Sequence, residues 1–355
     1  MKNQIKSSHR IFSLDLLRVF ACFLVMNQHS SEFYYIGSNC SVVRGSNTFW
    51  IGIITSLGRI SVPLFVMISG YFLLPIKGST SIFFHKRFTR VVYPFLFWCI
   101  AFAIYYVFYL GDSWSQMCAN ILQIPVNFGT QVGHLWYVYM ILGLYLLIPI
   151  LSPWLQKCSK KELEGYLWIW ILTTMLPYIH RIFPDVLGEC YWNPTPMLYY
   201  FTGFIGYLIL GYYIKTYGAL SISKSILLIA IGYTITAYIF CSRVDTAHNV
   251  PDLELSWSFC SLNVAMMAYG IFSLFRAIPY EGTCKICRFI SDISAKSYGM
   301  YLAHIMLLNM YHDLFGRMFT SVLIEVPLIT ICTFFTVYMV IRLISYLPYS
   351  KYWLG

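Results

Sequence analysis

Continuous apolar runs of about 17 to 25 residues recur along the chain at short intervals, and each is long enough to cross a hydrocarbon core of about 30 Å as a helix. They lie near residues 12–32, 48–75, 91–110, 135–153, 165–183, 197–214, 224–241, 257–275, 294–312 and 320–343, which predicts ten spans. Lipid offers backbone N–H and C=O groups no partner, so a spanning segment must satisfy them internally. A β-barrel would alternate apolar and polar positions over roughly ten residues, and these runs do not. The expected fold is therefore an all-α, polytopic transmembrane helix bundle. It forms one domain over residues 1–355, with no soluble domain appended. The first run contains Asp15 and Arg18, which the core of a cleavable signal peptide would not carry, so it is expected to remain as the first helix.

Composition agrees with the pattern. Only 11% of residues are charged and 59% are hydrophobic, against roughly 25% charged in soluble domains. The net charge of +10 would suggest nucleic acid in a soluble protein; here the basic residues act as orientation signals, and no nucleic-acid partner is expected. With a cytoplasmic N-terminus, the inner segments carry Lys2, Lys6, Arg10, Lys77, Lys86, Arg87, Arg90, Lys157, Lys160, Lys161, Lys215, Lys224, Arg276, Lys285, Arg288, Lys296, Arg342 and Lys351. The outer segments carry Arg44, Arg181, Arg243 and Arg317, and Arg18 and Arg59 fall within spans. Eighteen against four places both termini inside. The outer loops or their edges hold Glu32, Asp112, Asp185, Glu189, Asp245, Asp252 and Glu254. Cys40, Cys118 and Cys190 fall on this oxidising side, where one disulfide is open to them, and Cys284-Lys285-Ile286-Cys287 is a lone C-x-x-C without the second pair a zinc site needs. No metal is expected.

Ionisable groups inside a span are costly and mark function. Asp15 and Arg18, at i, i+3, share a helix face and can neutralise each other. His29 follows Arg18 after a rotation of about 1,100° and a rise of about 16 Å, returning to within about 20° of the same face. An arginine and a histidine thus line one wall at different depths, the histidine nearer the outside. A cation can hold an anionic or polarised group entering from the cytoplasm, and a near-neutral imidazole can take a proton from a hydroxyl. Arg87 and Arg90, at the inner end of the third span, have the spacing to fork onto phosphates. His134-Leu135-Trp136-Tyr137 opens the fourth span, Tyr301-Leu302-Ala303-His304 lies inside the ninth, and Glu325 sits about one turn into the tenth.

Taken together, Leu14-Asp15-Leu16-Leu17-Arg18 with His29, Val62-Pro63-Leu64-Phe65 with Ser69-Gly70-Tyr71, Lys86-Arg87-x-x-Arg90 before Pro94, His134-Leu135-Trp136-Tyr137, and Ser297-Tyr298-Gly299-Met300-Tyr301-Leu302-Ala303-His304 resemble the acyltransferase type 3 family of integral-membrane acyltransferases. The resemblance covers nearly the whole chain and looks closest to the short branch that acetylates enterobacterial common antigen or O-antigen. It implies an O-acetyltransferase of the bacterial inner membrane, moving acetyl from cytoplasmic acetyl-CoA to a hydroxyl of a cell-surface glycan or lipid-linked oligosaccharide. It puts catalysis on His29, as general base or acyl carrier, with Arg18 and Asp15. Donor binding falls on Arg87, Arg90, Ser69, Gly70 and Tyr71, and acceptor binding on Arg59, His134, Trp136, His304 and Glu325. His304 could also carry the acetyl group transiently. Ten spans with buried charges fit a second class as well, a proton-coupled transporter or exporter of a glycan or polyol; paired half-repeats with broken helices, which that class favours, are not visible.

Overall fold

A computed structural model describes residues 10–183, 198, 201–278, 284–316 and 318–355. Lys2, Lys6, Asp185, Glu189, Cys190 and Arg317 lie outside these. The described residues form helices and connecting turns with no strand, apart from one isolated bridge between Ile36 and Val42. Helix α1 (Phe12–Tyr35) is followed by α2 (Ser46–Thr55), a 3-10 turn (Ser56–Ile60) and α3 (Ser61–Leu73). Then come α4 (Thr80–Tyr109), α5 (Trp114–Leu122), α6 (Phe128–Gln131) and α7 (Trp136–Lys157). Next are α8 (Lys160–Thr173), α9 (Leu176–Ile182), α10 (Ile205–Tyr217) and α11 (Ile222–Arg243). The short α12 (Val250–Leu253) and a 3-10 turn (Glu254–Trp257) lead to α13 (Leu262–Arg276), and α14 (Lys285–Phe315), α15 (Val322–Ile344) and α16 (Lys351–Leu354) complete the chain.

Helix occupies part of each of the ten predicted runs. Among the described residues five are long and apolar enough to cross a membrane, α2 through α3 counting as one, or six if the bent pair Val250–Trp257 and Leu262–Arg276 is a single span. The chain is thus an all-α membrane protein. The α2–α3 stretch is mostly buried, whereas α11 turns Ile226, Leu227, Ile231 and Tyr238 outward. That difference puts α3 at the centre of the bundle and α11 at its lipid-facing edge.

Two features of this packing build the site. First, α14 lies alongside α1 in parallel register: Arg18 Nη1 donates to Ser294 Oγ at 3.1 Å with a sequence separation of 276, and Cys22 Sγ faces Ser297 O at 3.9 Å with a separation of 275. Arg18 and His29 both look onto this seam. Second, the helix that begins as α2 cannot run straight into α3. Pro63 lacks the N–H that would bond the Arg59 carbonyl, so the regular ladder is broken at this point, and the intervening 3-10 turn carries Arg59 inward, where it is 4% exposed. Ser56 in the same turn takes a hydrogen bond from Trp257 Nε1 at 3.0 Å, which ties the turn to the segment before α13.

Candidate active site

A cavity of about 660 Å³ opens between α1, the Arg59 turn, the N-terminal end of α7, the segment around Glu254 and α14. His29 and Glu32 of α1 line it together. Spaced i, i+3, they face the same way, and His29 Nδ1 lies 2.9 Å from Glu32 Oε2. An ionised carboxylate only accepts hydrogen bonds, so Nδ1 carries a proton, and in the neutral imidazole Nε2 then keeps its lone pair.

Two further imidazoles stand beside it. The rings of His304 and His134 are 5.3 Å and 6.2 Å from that of His29, and 4.8 Å from each other. Both are pinned by backbone carbonyls. His304 Nδ1 donates to Tyr301 O at 2.6 Å, and His134 Nε2 donates to Leu302 O at 3.3 Å. The opposite nitrogens, His304 Nε2 and His134 Nδ1, are buried with no hydrogen-bond partner. His134 lines the cavity and His304 does not: it is fully buried behind the other two. The Tyr301 hydroxyl bonds the His134 carbonyl and so locks α14 to the entry of α7. Among the described residues no cluster of His, Cys, Asp and Glu is arranged to hold a metal ion.

The other end of the cavity is aromatic and charged. Trp136 packs against Phe259 at 5.7 Å and Phe204 at 5.9 Å. Arg59 Nη2 donates to Glu254 Oε1 at 2.9 Å and meets the Tyr35 hydroxyl at 3.2 Å, while its guanidinium lies 4.2 Å above the Trp257 ring. The Tyr35 hydroxyl also bonds Glu254. Glu254 is placed by the turn before it, where Arg243 Nε donates to the Asp252 carbonyl at 2.8 Å and the Asn249 side chain caps the Asp252 amide.

Asp15 and Arg18 lie at the opposite end of α1, outside the cavity lining. Asp15 accepts hydrogen bonds from Ser294 at 2.7 Å and Ser291 at 3.0 Å, and faces Arg18 at 3.6 Å and Arg10 at 3.7 Å. Replacing Asp15 with alanine removes the counter-charge of Arg18 and the acceptor of two hydroxyls. The expected loss is about 3 kcal/mol, the lower end of the range for breaking a buried pair, because Arg18 keeps some access to water. Thermal unfolding in detergent should show a clearly lowered midpoint for Asp15→Ala and a smaller drop for Asp15→Asn, which keeps an acceptor oxygen.

The consecutive residues Ser69, Gly70 and Tyr71 of α3 meet three different neighbours. Ser69 faces Tyr145 of α7, which lies within electrostatic reach of both Arg87 and Arg18. Gly70 abuts the Leu208 backbone of α10, so its visible role is packing. Tyr71 lies under the Arg276 guanidinium, 5.4 Å from it. Arg87 has a buried Nε with no partner, and Arg90 is exposed. Glu325 is buried beside Tyr34 and the Gly316 turn, away from the cavity. Cys284 and Cys287 are joined in a disulfide, and Cys40 and Cys118 are exposed thiols.

Glu32 and Glu254 are among the outer acidic residues, to which the sequence pattern assigns no site role. The i, i+3 spacing from His29 was a usable signal for Glu32. Glu254 meets Arg59 across 195 residues, and no local spacing could have shown it.

Among curated proteins and among solved structures no match is found. A family model described as an acyltransferase domain matches residues 11–345, a span that takes in the histidine cluster, the Arg59–Glu254 pair and the Asp15–Arg18 seam. The chain belongs to the acyltransferase type 3 family.

Proposed function

We propose that this protein is an O-acetyltransferase of the bacterial cytoplasmic membrane. It crosses the bilayer ten times with both termini inside and moves acetyl from cytoplasmic acetyl-CoA to a sugar hydroxyl of a cell-surface polysaccharide or its lipid-linked precursor. Enterobacterial common antigen and O-antigen are the proposed acceptors. The observation that carries the reading is His29, a base whose Nδ1 is held by Glu32 and whose Nε2 is left as acceptor in a cavity at the end of α1 that the charge bias assigns to the outside.

The chemistry is a single acyl transfer. The acceptor hydroxyl gives its proton to His29 Nε2 as its oxygen attacks the thioester carbonyl; the C–S bond breaks, and the CoA thiolate takes the proton from the imidazolium. Glu32 keeps the imidazole in the required tautomer and stabilises the imidazolium. Direct transfer is favoured over an acetyl-His304 intermediate because the His304 lone pair is enclosed behind the other two rings. On the cytoplasmic side, Arg87 and Arg90 suit the phosphates of acetyl-CoA. The orphaned Arg87 Nε supports that assignment, since a buried guanidinium nitrogen without an acceptor is expensive. Tyr145 lies near both Arg87 and Arg18, on the side from which the donor would approach.

The test is direct. Purified protein given acetyl-labelled acetyl-CoA should release CoA in an acceptor-dependent way, with the label moving to glycan extracted from the cell envelope. No donor binding and no release would overturn the reading and leave a transporter as the better account.

A further inference from the structure

The cavity lining carries three formally charged side chains, Glu32, Glu254 and Arg59. The one cation among the described lining residues is paired: its Nη2 serves Glu254 and Tyr35 and its face lies over Trp257, while its Nε is buried without a hydrogen-bond partner. A catalytic imidazole must be neutral to take a proton, so Glu32 has no cation to balance it. With Arg59 paired to Glu254, the described lining carries a formal net charge of minus one. A second anion placed here meets repulsion from the Glu32 carboxylate, which is only partly exposed and so is felt more strongly than a charge in bulk solvent.

Its walls suit a hydroxylated ring. Trp136, braced by Phe259 and Phe204, offers a flat apolar face, and Glu254 and Asn309 present polar atoms to the same space. An apolar platform with a few placed polar groups, in a volume inside the usual range for small-ligand sites, is the ordinary construction of a binding pocket.

We infer that the acceptor sugar of this cavity is uncharged: a neutral ring seated against Trp136 with hydroxyls to Glu254 and Asn309, to the exclusion of uronic acids and other anionic sugars. The inference rests on the proposed acetyl transfer for its meaning but not for its test, which reads binding alone. Full-length protein in nanodiscs is titrated with matched pairs of methyl glycosides, glucoside against glucuronide and galactoside against galacturonide, by saturation-transfer NMR. The neutral member of a pair is expected to bind at least tenfold more tightly. The gap should shrink severalfold in Glu254→Gln, which releases Arg59 to meet a carboxylate. It should also shrink in Glu32→Gln, which leaves the Arg59 pair intact and serves if Glu254→Gln fails to fold. Equal or tighter binding of the uronides to the unaltered protein overturns the inference, as does a gap unchanged in a folded variant. If no glycoside of either kind binds, the inference also falls, while acceptor-dependent CoA release would still stand as support for the acyltransferase reading.

Discussion

Replacing His29 with alanine is expected to cut acetyl transfer by about 10²- to 10⁴-fold, the range general-base catalysis contributes, and to leave the protein inserted and folded. The second half follows from where the ring sits. His29 borders a cavity already present, and its one hydrogen bond among the described residues is to a Glu32 side chain one-third exposed. Removing it enlarges that space without emptying a packed core. Glu32→Gln should fall in between. It preserves shape but replaces a charged acceptor with a neutral one, so kcat drops more than KM changes, and Glu32→Asp should recover part of the loss. The measurement is the initial rate of acceptor-dependent CoA release by purified variants of matched thermal stability. A His29→Ala protein that transfers at the unaltered rate would remove His29 from the mechanism.

Local spacing made half of this site legible. Asp15, Arg18, His29 and Glu32 lie on one helix, where the 3.6-residue period converts sequence separation directly into direction, and the seam with α14 receives Arg18 and His29 alike. His134 and His304 stood out as histidines in apolar surroundings. Their meeting with His29 did not, because it depends on α7 and α14 arriving beside α1. The break at Arg59 was half-visible in Pro63, but its partner Glu254 comes from a turn nearly 200 residues away. Hydropathy located the helices better than their ends. The run at 165–183 is divided between α8 and α9, and that at 257–275 becomes a helix only at Leu262, since polar turns tied down by neighbouring side chains interrupt apolar sequence without changing its average. Glu325 shows the opposite limit: its depth in the tenth run was readable, whereas the direction of its side chain, away from the cavity, was not.

Gly70→Val should be among the most destabilising single changes in the bundle, by about 3 kcal/mol, the upper end of the range for overpacking. A Cβ at Gly70 would overlap the Leu208 carbonyl, and a Cβ at Gly211 would overlap that of Met67. The two contacts face each other across one crossing of α3 with α10, each helix offering a glycine to the other's backbone. Small residues let membrane helices approach this closely, and neither contact can be relieved by a rotamer change because the obstruction is main chain. The helices must part, which loosens α3 from the Arg59 turn that precedes it to Ser69 near its end. Because both substitutions are relieved by the same separation, Gly70→Val and Gly211→Val should be clearly sub-additive when combined, with the second costing much less than it does alone. Unfolding of the two single variants and the double variant in detergent gives the cycle. Additive losses, or a Gly70→Val protein as stable as the original, would show that α3 and α10 are not held together at this crossing.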